Sequence, residues 1–262
     1  VFLINTNVYR NQGYRISNVI GGGADLNNKK NTYGLTTSAF VTNVFQVDTS
    51  DNQYKNTPGY FYRLGFMKTS GKLQFFVEST AMSPTYDNND MGITFQTNYV
   101  TTELGIDYNK FDAFRRFLNA SMGMNFSHTM NYTTHGLNQI EIGGSANATF
   151  KSFEKISFRI NTSPLGEMDY YEPRTPGRFF WRTPNMYSRF NYNSDYRKKF
   201  TYSFTLWGGS TALVSESIGY NPFFGLDLGP KFRITDKLTA STSLSYGEDI
   251  GDRGYVNDDT NG

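Results

Sequence analysis

Apolar side chains and small polar ones alternate one for one along most of this chain. From Tyr33 to Phe45 one face carries Tyr33, Leu35, Thr37, Ala39, Val41, Asn43 and Phe45; the other carries Gly34, Thr36, Ser38, Phe40, Thr42 and Val44. Leu118, Ala120, Met122, Met124 and Phe126 oppose Asn119, Ser121, Gly123 and Asn125 in the same way. Leu238, Ala240, Leu244 and Tyr246 oppose Thr239, Ser241, Ser243 and Ser245. A period of two is that of a strand with two unlike faces. Helical spacing is not sustained anywhere, so the pattern predicts an all-β chain. About twelve strands are expected, near 18–26, 32–45, 59–68, 72–82, 98–108, 114–128, 139–150, 156–164, 186–193, 200–210, 222–234 and 238–248. Residues 1–17 read as a lead-in segment or an extra strand, and 18–262 as the sheet itself.

Composition decides what surrounds those strands. The 262 residues are 17% aromatic, with 23 Phe and 19 Tyr, yet only 18% charged and 37% hydrophobic. Such a chain interleaves apolar residues with small polar ones instead of gathering them into blocks. No run approaches the roughly 18 apolar residues that a membrane-spanning helix needs. Absence of Cys excludes a disulfide scaffold, a Cys-ligated metal site and a thiol enzyme. A formal charge of +2 points to no nucleic-acid partner.

Three features favour a transmembrane barrel over a soluble sandwich. Aromatics flank the apolar faces, as at Tyr33 and Phe45, Phe114 and Phe126, and Phe224 and Phe232. Twelve residues at about 3.3 Å, tilted by about 45°, project to about 28 Å, close to the apolar band of an outer-membrane barrel. The opposing face is too polar for a sandwich core and suits a wet lumen. Connections also alternate between short turns, such as 69–71 and 235–237, and longer ones near 46–58, 83–97, 129–138, 165–185 and 211–221, as in outer-membrane barrels. The fold expected is therefore an antiparallel transmembrane outer-membrane β-barrel with about twelve strands here and more in a longer protein. It is incomplete at its C-terminal end, because an open edge in lipid leaves backbone groups unpaired.

Several stretches resemble one family. They are Val19-Ile20-Gly21-Gly22-Gly23-Ala24-Asp25, Tyr86-Asp87-Asn88-Asn89-Asp90-Met91-Gly92, the loop Asp169 to Arg178, and Asp195-Tyr196-Arg197-Lys198-Lys199. Together they resemble the barrel region of Bacteroidota outer-membrane proteins grouped as domain-of-unknown-function family 5916. That resemblance implies an outer-membrane barrel commonly preceded by a carbohydrate-binding module of the family-9 type. It implies no reaction and no active site.

Candidate chemistry concentrates in loop 165–185. Tyr170, Tyr171, Glu172, Arg174, Arg178, Trp181 and Arg182 combine aromatic faces with carboxylate and guanidinium groups, which suits a sugar, a peptide or a protein partner. The competing reading is that its acids and arginines pair with each other. A glycosidase pair, Glu167 or Asp169 with Glu172, needs a carboxylate separation that sequence does not supply. Arg63, Arg159, Lys231 and Arg233 fall on the polar face and would bias a lumen toward anions. Asp87, Asn89 and Asp90 precede Gly92 as oxygen ligands do in calcium loops, but Met91 takes a ligand's place; an Asx turn competes. His128 and His135 lack a third ligand, and no cofactor is called for. The run Gly21-Gly22-Gly23 reads as a bend or a close contact within a strand.

The function expected is a pore-like conduit or surface binding component in the bacterial outer membrane, in contact with lipid and lipopolysaccharide. Its ligands would be small solutes, glycans or peptides. The alternatives are a membrane anchor within a larger envelope complex, with protein partners, and a surface glycan-active enzyme.

Overall fold

In a computed structural model, the chain is described at all residues except 11–14, 48–52, 91, 93, 95, 171, 174, 176, 214–218 and 250–262. Among the described residues there are sixteen strands and no helix. In chain order they are β1 (Phe2–Arg10), β2 (Arg15–Asn27), β3 (Tyr33–Val47), β4 (Tyr54–Lys68), β5 (Leu73–Met82), β6 (Tyr99–Lys110), β7 (Phe117–Asn131) and β8 (Leu137–Phe150). There follow β9 (Lys155–Ser163), β10 (Glu167–Asp169), β11 (Phe180–Arg182), β12 (Asn185–Asn193), β13 (Phe200–Leu213), β14 (Gly219–Arg233), β15 (Thr239–Ser241) and β16 (Leu244–Asp249). Neighbours in sequence pair in order from β1 to β9, then β12 to β15. Every pairing with a described register is antiparallel. Among the described residues the sheet is open, with β1 at one edge and β15 and β16 beyond β14 at the other. A closed barrel is thus not what the described pairings amount to; the all-β antiparallel sheet is.

Each of the twelve expected strands is present, and the differences have local causes. Residues 2–10 do form a strand, paired with β2 from Phe2↔Gly23 to Arg10↔Arg15. β3, β4, β7 and β8 run past the points where apolar alternation stops, so the connections at 46–58 and 129–138 are shorter than expected. Thr, Asn and Gln extend a backbone ladder as readily as apolar residues do, because the ladder needs only N–H and C=O groups. The strand expected over 238–248 is split into β15 and β16, both paired with β14. The gap lies opposite Gly229 and Pro230, and Pro230 has no N–H to donate. β10 and β11, three residues each, were hidden inside loop 165–185.

The described residues form two compact units. The first holds 1–70, 75–104 and 127–138; the second holds 71–74, 105–126 and 139–262. In both, the polarity of a soluble protein is inverted. In the first unit Leu35, Tyr62, Leu64, Phe66 and Val77 are exposed on one face of β3–β5. Paired registers place them together: Leu35↔Phe66, Ala39↔Tyr62 and Phe66↔Val77. The opposite face holds Thr42, 0% exposed, and Ser17, 2% exposed. In the second unit Phe158, Leu206, Phe224, Leu228 and Phe232 are exposed, while Ser163 and Asp195 are buried. Buried apolar side chains are few among the described residues: Val44, Ala81 and Tyr86. Soluble domains bury such residues preferentially. Here exposed apolar residues make one face of each sheet, called the apolar face below.

Aromatic rings gather where strands meet short turns. Tyr33 stacks on Phe66 at 6.0 Å between centroids, and Phe66 packs on Phe75 at 6.1 Å. In the second unit Phe117 packs on Phe114 and Phe150, and Tyr192 stacks on Tyr202 and Phe204. The guanidinium of Arg197 lies 3.5 Å from the ring centroid of Phe153 while binding Asp195 through two nitrogens at 2.9 Å. Those hydrogen bonds hold the Asp195 carboxyl down at about 2.

Candidate functional site

In the first unit an apolar row crosses the polar face. The registers Ile4↔Gly21, Gly21↔Phe40, Phe40↔Phe61 and Phe61↔Met82 set one position on each of five strands side by side. Gly21 is the gap in that row. A Cβ there would strike the Phe40 ring and the Ala39 carbonyl, and one on Gly23 would come within 2.8 Å of the Phe2 ring. The glycines therefore make a close contact: they leave room for neighbouring aromatic rings. Phe2, Phe40, Phe61 and Tyr86 then follow one another at 6.2, 5.9 and 5.9 Å. Phe40 is the out-of-place aromatic on an otherwise small, polar face, and it was the legible sign of this row.

Loop 83–98 covers the row. Its first turn is tied to β4: the Tyr60 N–H donates to Ser83 Oγ at 2.8 Å, and the Ser83 N–H donates to the Tyr60 carbonyl at 2.8 Å. Thr85 Oγ1 donates to the Pro58 carbonyl at 2.5 Å. The Asp87 N–H reaches Thr42 Oγ1 at 3.2 Å, which accounts for a fully buried threonine. Gly59 permits this approach. Its absent Cβ would overlap the Tyr86 Cα and lie 2.5 Å from both Thr42 Oγ1 and the Thr85 carbonyl. Gly59→Val is expected to cost about 1–3 kcal/mol, as overpacking does. The backbone cannot yield without breaking the Ser83 and Thr85 bonds, so limited proteolysis should cut the loop faster in this variant.

A charged network fixes the far end of the loop. Arg15 donates to Asp90 and to Asp87 at 2.7 Å each, Arg10 pairs with Asp90 at 2.8 Å, and the Ser17 hydroxyl donates to Asp90. The Asp90 side chain is 7% exposed. Burial pushes both carboxyls up, but the hydrogen bonds from Ser17, Arg15 and Asn89 with the charges of Arg15 and Arg10 outweigh it, so both end below the usual carboxylate range. Asp87 also accepts from the backbone and side-chain nitrogens of Asn89 at 3.0 Å, an Asx turn. The calcium candidates Asp87, Asn89 and Asp90 are thus brought together, with the two carboxylates engaged by guanidinium groups. Among the described residues no group of three potential metal ligands occurs.

Between loop and row lies a cavity of about 730 Å³. Its strand wall is Ile4, Val19, Phe40, Phe61 and Met82, with Thr6. Its loop side is Tyr86, Asn88, Thr94 and Gln96, with Tyr99 from β6. Ligand cavities commonly occupy ~300–1,000 Å³ with a largely apolar lining.

In the second unit loop 165–185 folds as the β10–β11 hairpin, with registers Glu167↔Arg182, Met168↔Trp181 and Asp169↔Phe180. Arg182 binds Asp169 at 3.1 Å and Glu172 at 3.3 Å and lies 5.9 Å from the Phe180 ring centroid. Tyr170 packs on Phe179 at 5.4 Å. Phe179 and Trp181 are exposed, and Arg178 donates its backbone N–H to the Thr175 carbonyl at 3.2 Å. Tyr171 and Arg174 lie outside the described residues. Of the expected lumen charges, Arg63 pairs with Glu78 at 2.8 Å. Lys231 and Arg233 are exposed on β14. Arg159 stands directly across from Arg189, a residue that alternation alone did not single out. Among the described residues no carboxylate contacts either of them, and Arg189 Nε donates to Asn191 Oδ1 at 3.2 Å.

The molecule is thus an antiparallel all-β protein whose exposed face is apolar and whose other face carries the polar groups, a folded-in loop and a cavity. It belongs to the family described as Domain of unknown function (DUF5916), whose model matches residues 1–262. No curated protein and no solved structure matches the chain.

Proposed function

We propose that the chain forms wall of an integral outer-membrane β-barrel of the Bacteroidota type. It acts there as a pore-like conduit or binding component for small solutes, glycans or peptides. The observation that carries this reading is the inverted polarity: exposed Leu, Phe, Tyr and Met side chains share one face while Thr42, Ser17 and Ser163 are buried. In water an apolar face of this extent is an association or aggregation hazard. In lipid it is the stable arrangement, with rings at the turn ends placed at the headgroups. Closure of the sheet, required in lipid, is part of the proposal.

Purified protein in detergent should run faster on electrophoresis unheated than boiled, and should add discrete conductance steps to planar bilayers. A membrane-bound, heat-modifiable protein without conductance would leave binding and remove the conduit. The Arg159–Arg189 pair predicts anion preference, since like charges directly opposite are unfavourable unless an anion or water screens them. Arg159→Gln with Arg189→Gln should lower the anion-to-cation permeability ratio by roughly half, read from reversal potentials in a salt gradient.

The second reading, a membrane anchor within a larger envelope complex, is favoured by the exposed Phe179 and Trp181 on the β10–β11 hairpin. Aromatic side chains are enriched at the buried centres of protein interfaces. Under it, a partner co-purifies in detergent and is lost on Trp181→Ala.

A further inference from the structure

We propose that the cavity under loop 83–98 binds an uncharged amphipathic solute, its apolar ring body laid on the strand wall and its hydroxyl or amide group turned to the loop. The inference rests on the reading of the polar face as a water-filled lumen, and names what that lumen holds. Three observations define the chemistry. Among the described residues no charged side chain lines the cavity, and the carboxylates of the loop, Asp87 and Asp90, are drawn to Arg15 and Arg10. A charged ligand would therefore lose hydration without gaining a counter-charge, which is strongly unfavourable.

The two sides also differ in kind. Ile4, Val19, Phe40, Phe61 and Met82 make the wall apolar apart from the Thr6 hydroxyl, and the Phe40 and Phe61 rings are tilted by 49°. An apolar ring covers such a wall better than a polyol, whose hydroxyls would be desolvated there without partners.

The loop side carries polar groups that the fold leaves unused. Among the described residues the hydroxyls of Tyr86 and Tyr99 and the amide of Gln96 make no hydrogen bond; Gln96 is exposed, and neither tyrosine hydroxyl is sealed off from the open cavity. Asn88 and Thr94 are bonded to each other. The two tyrosine hydroxyls and the Gln96 amide are open to water, and a ligand amide or hydroxyl would take the place of that water on them. A purely apolar ligand would displace water from the two tyrosine hydroxyls and return no hydrogen bond.

Benzamide, benzoate and glucose separate the possibilities. They share size, while differing in charge and in apolar body. Saturation-transfer NMR on the whole protein in detergent should show benzamide bound at millimolar concentration. Benzoate should give a signal at least about tenfold weaker, and glucose none. Phe61→Ala and Gln96→Leu should each reduce benzamide binding by roughly 3- to 10-fold. Gln96→Leu removes no hydrogen bond of the fold, so it reads the site even if Phe61→Ala unfolds; heat-modifiable migration reports which variant is folded. Absence of benzamide binding, equal binding by the folded variants, or preference for benzoate or glucose would overturn the inference. Binding is read without a bilayer, so failed conductance and failed binding are separate results.

Discussion

With the sheet in lipid as proposed, Leu64→Arg is expected to destabilise the protein by about 2–4 kcal/mol, the cost of a guanidinium at the midplane on the lipid face of a barrel. That is roughly 30- to 900-fold in the folded population. Leu64 is 52% exposed and stands between Thr37 and Ser79 on the apolar face. If that face met water, the same change would fall within about 0.5 kcal/mol, as surface substitutions do. The two environments thus predict outcomes that differ by more than the error of a urea titration in lipid vesicles. Thr36→Arg is the control. Thr36 is on the opposite face, its hydroxyl donating to Asp25 at 2.8 Å, and an arginine there acquires a carboxylate neighbour. A near-neutral Leu64→Arg, or a Thr36→Arg that is equally damaging, would refute the assignment of faces.

Arg15→Met should release loop 83–98. The methionine keeps the apolar stem but removes the donors that hold Asp87 and Asp90. Deleting one partner costs up to about 1 kcal/mol for an exposed ion pair and about 3–5 kcal/mol for a buried one; this half-buried pair, with Arg10 still on Asp90, falls between them at about 2 kcal/mol. Opening should rise by roughly 30-fold, measured as protease cleavage between 83 and 98. Acid should do the same to the unmutated protein. The folded-state pKa values of Asp87 and Asp90 lie below their unfolded ones, so unfolded or open states bind more protons as pH falls. The stabilisation is complete above the ordinary carboxylate range near 4 and is lost as pH drops through the lowered values. Cleavage should thus climb below about pH 4 in the unmutated protein and climb less in Arg15→Met, where Asp87 has lost its guanidinium and Asp90 keeps only Arg10 and Ser17. A variant whose cleavage kept the same acid dependence would show that these carboxylates do not hold the loop.

The candidate site was legible in pieces. Phe40 breaks a small, polar face of Thr36, Ser38 and Thr42, a signal present in the alternation, though alternation alone does not make it part of a site. The Gly21–Gly23 run signalled close contact, though not that Phe40 and Phe2 supply it. Nothing in the local sequence of Thr42 or Gly59 distinguishes them from other threonines and glycines, since their roles depend on a loop that begins at Ser83. Loop 165–185 drew attention through its density of aromatic and charged residues. Much of that density is spent within the hairpin, where Arg182 takes both Asp169 and Glu172.

Alternation along each segment was sufficient for the twelve longer segments of strand and for their two unlike faces, because those properties come from side chains two residues apart; the short β10 and β11 gave no such signal. It also placed the aromatics at the strand ends. Which residues meet across the sheet depends instead on register and on where long loops return. Arg15 and Asp90 are 75 positions apart, and no periodicity links them. The ion network, the glycine gaps and the cavity exist because loop 83–98 folds back onto Gly59 and Thr42. That return is decided by many weak long-range contacts at once, and no stretch of sequence carries it alone.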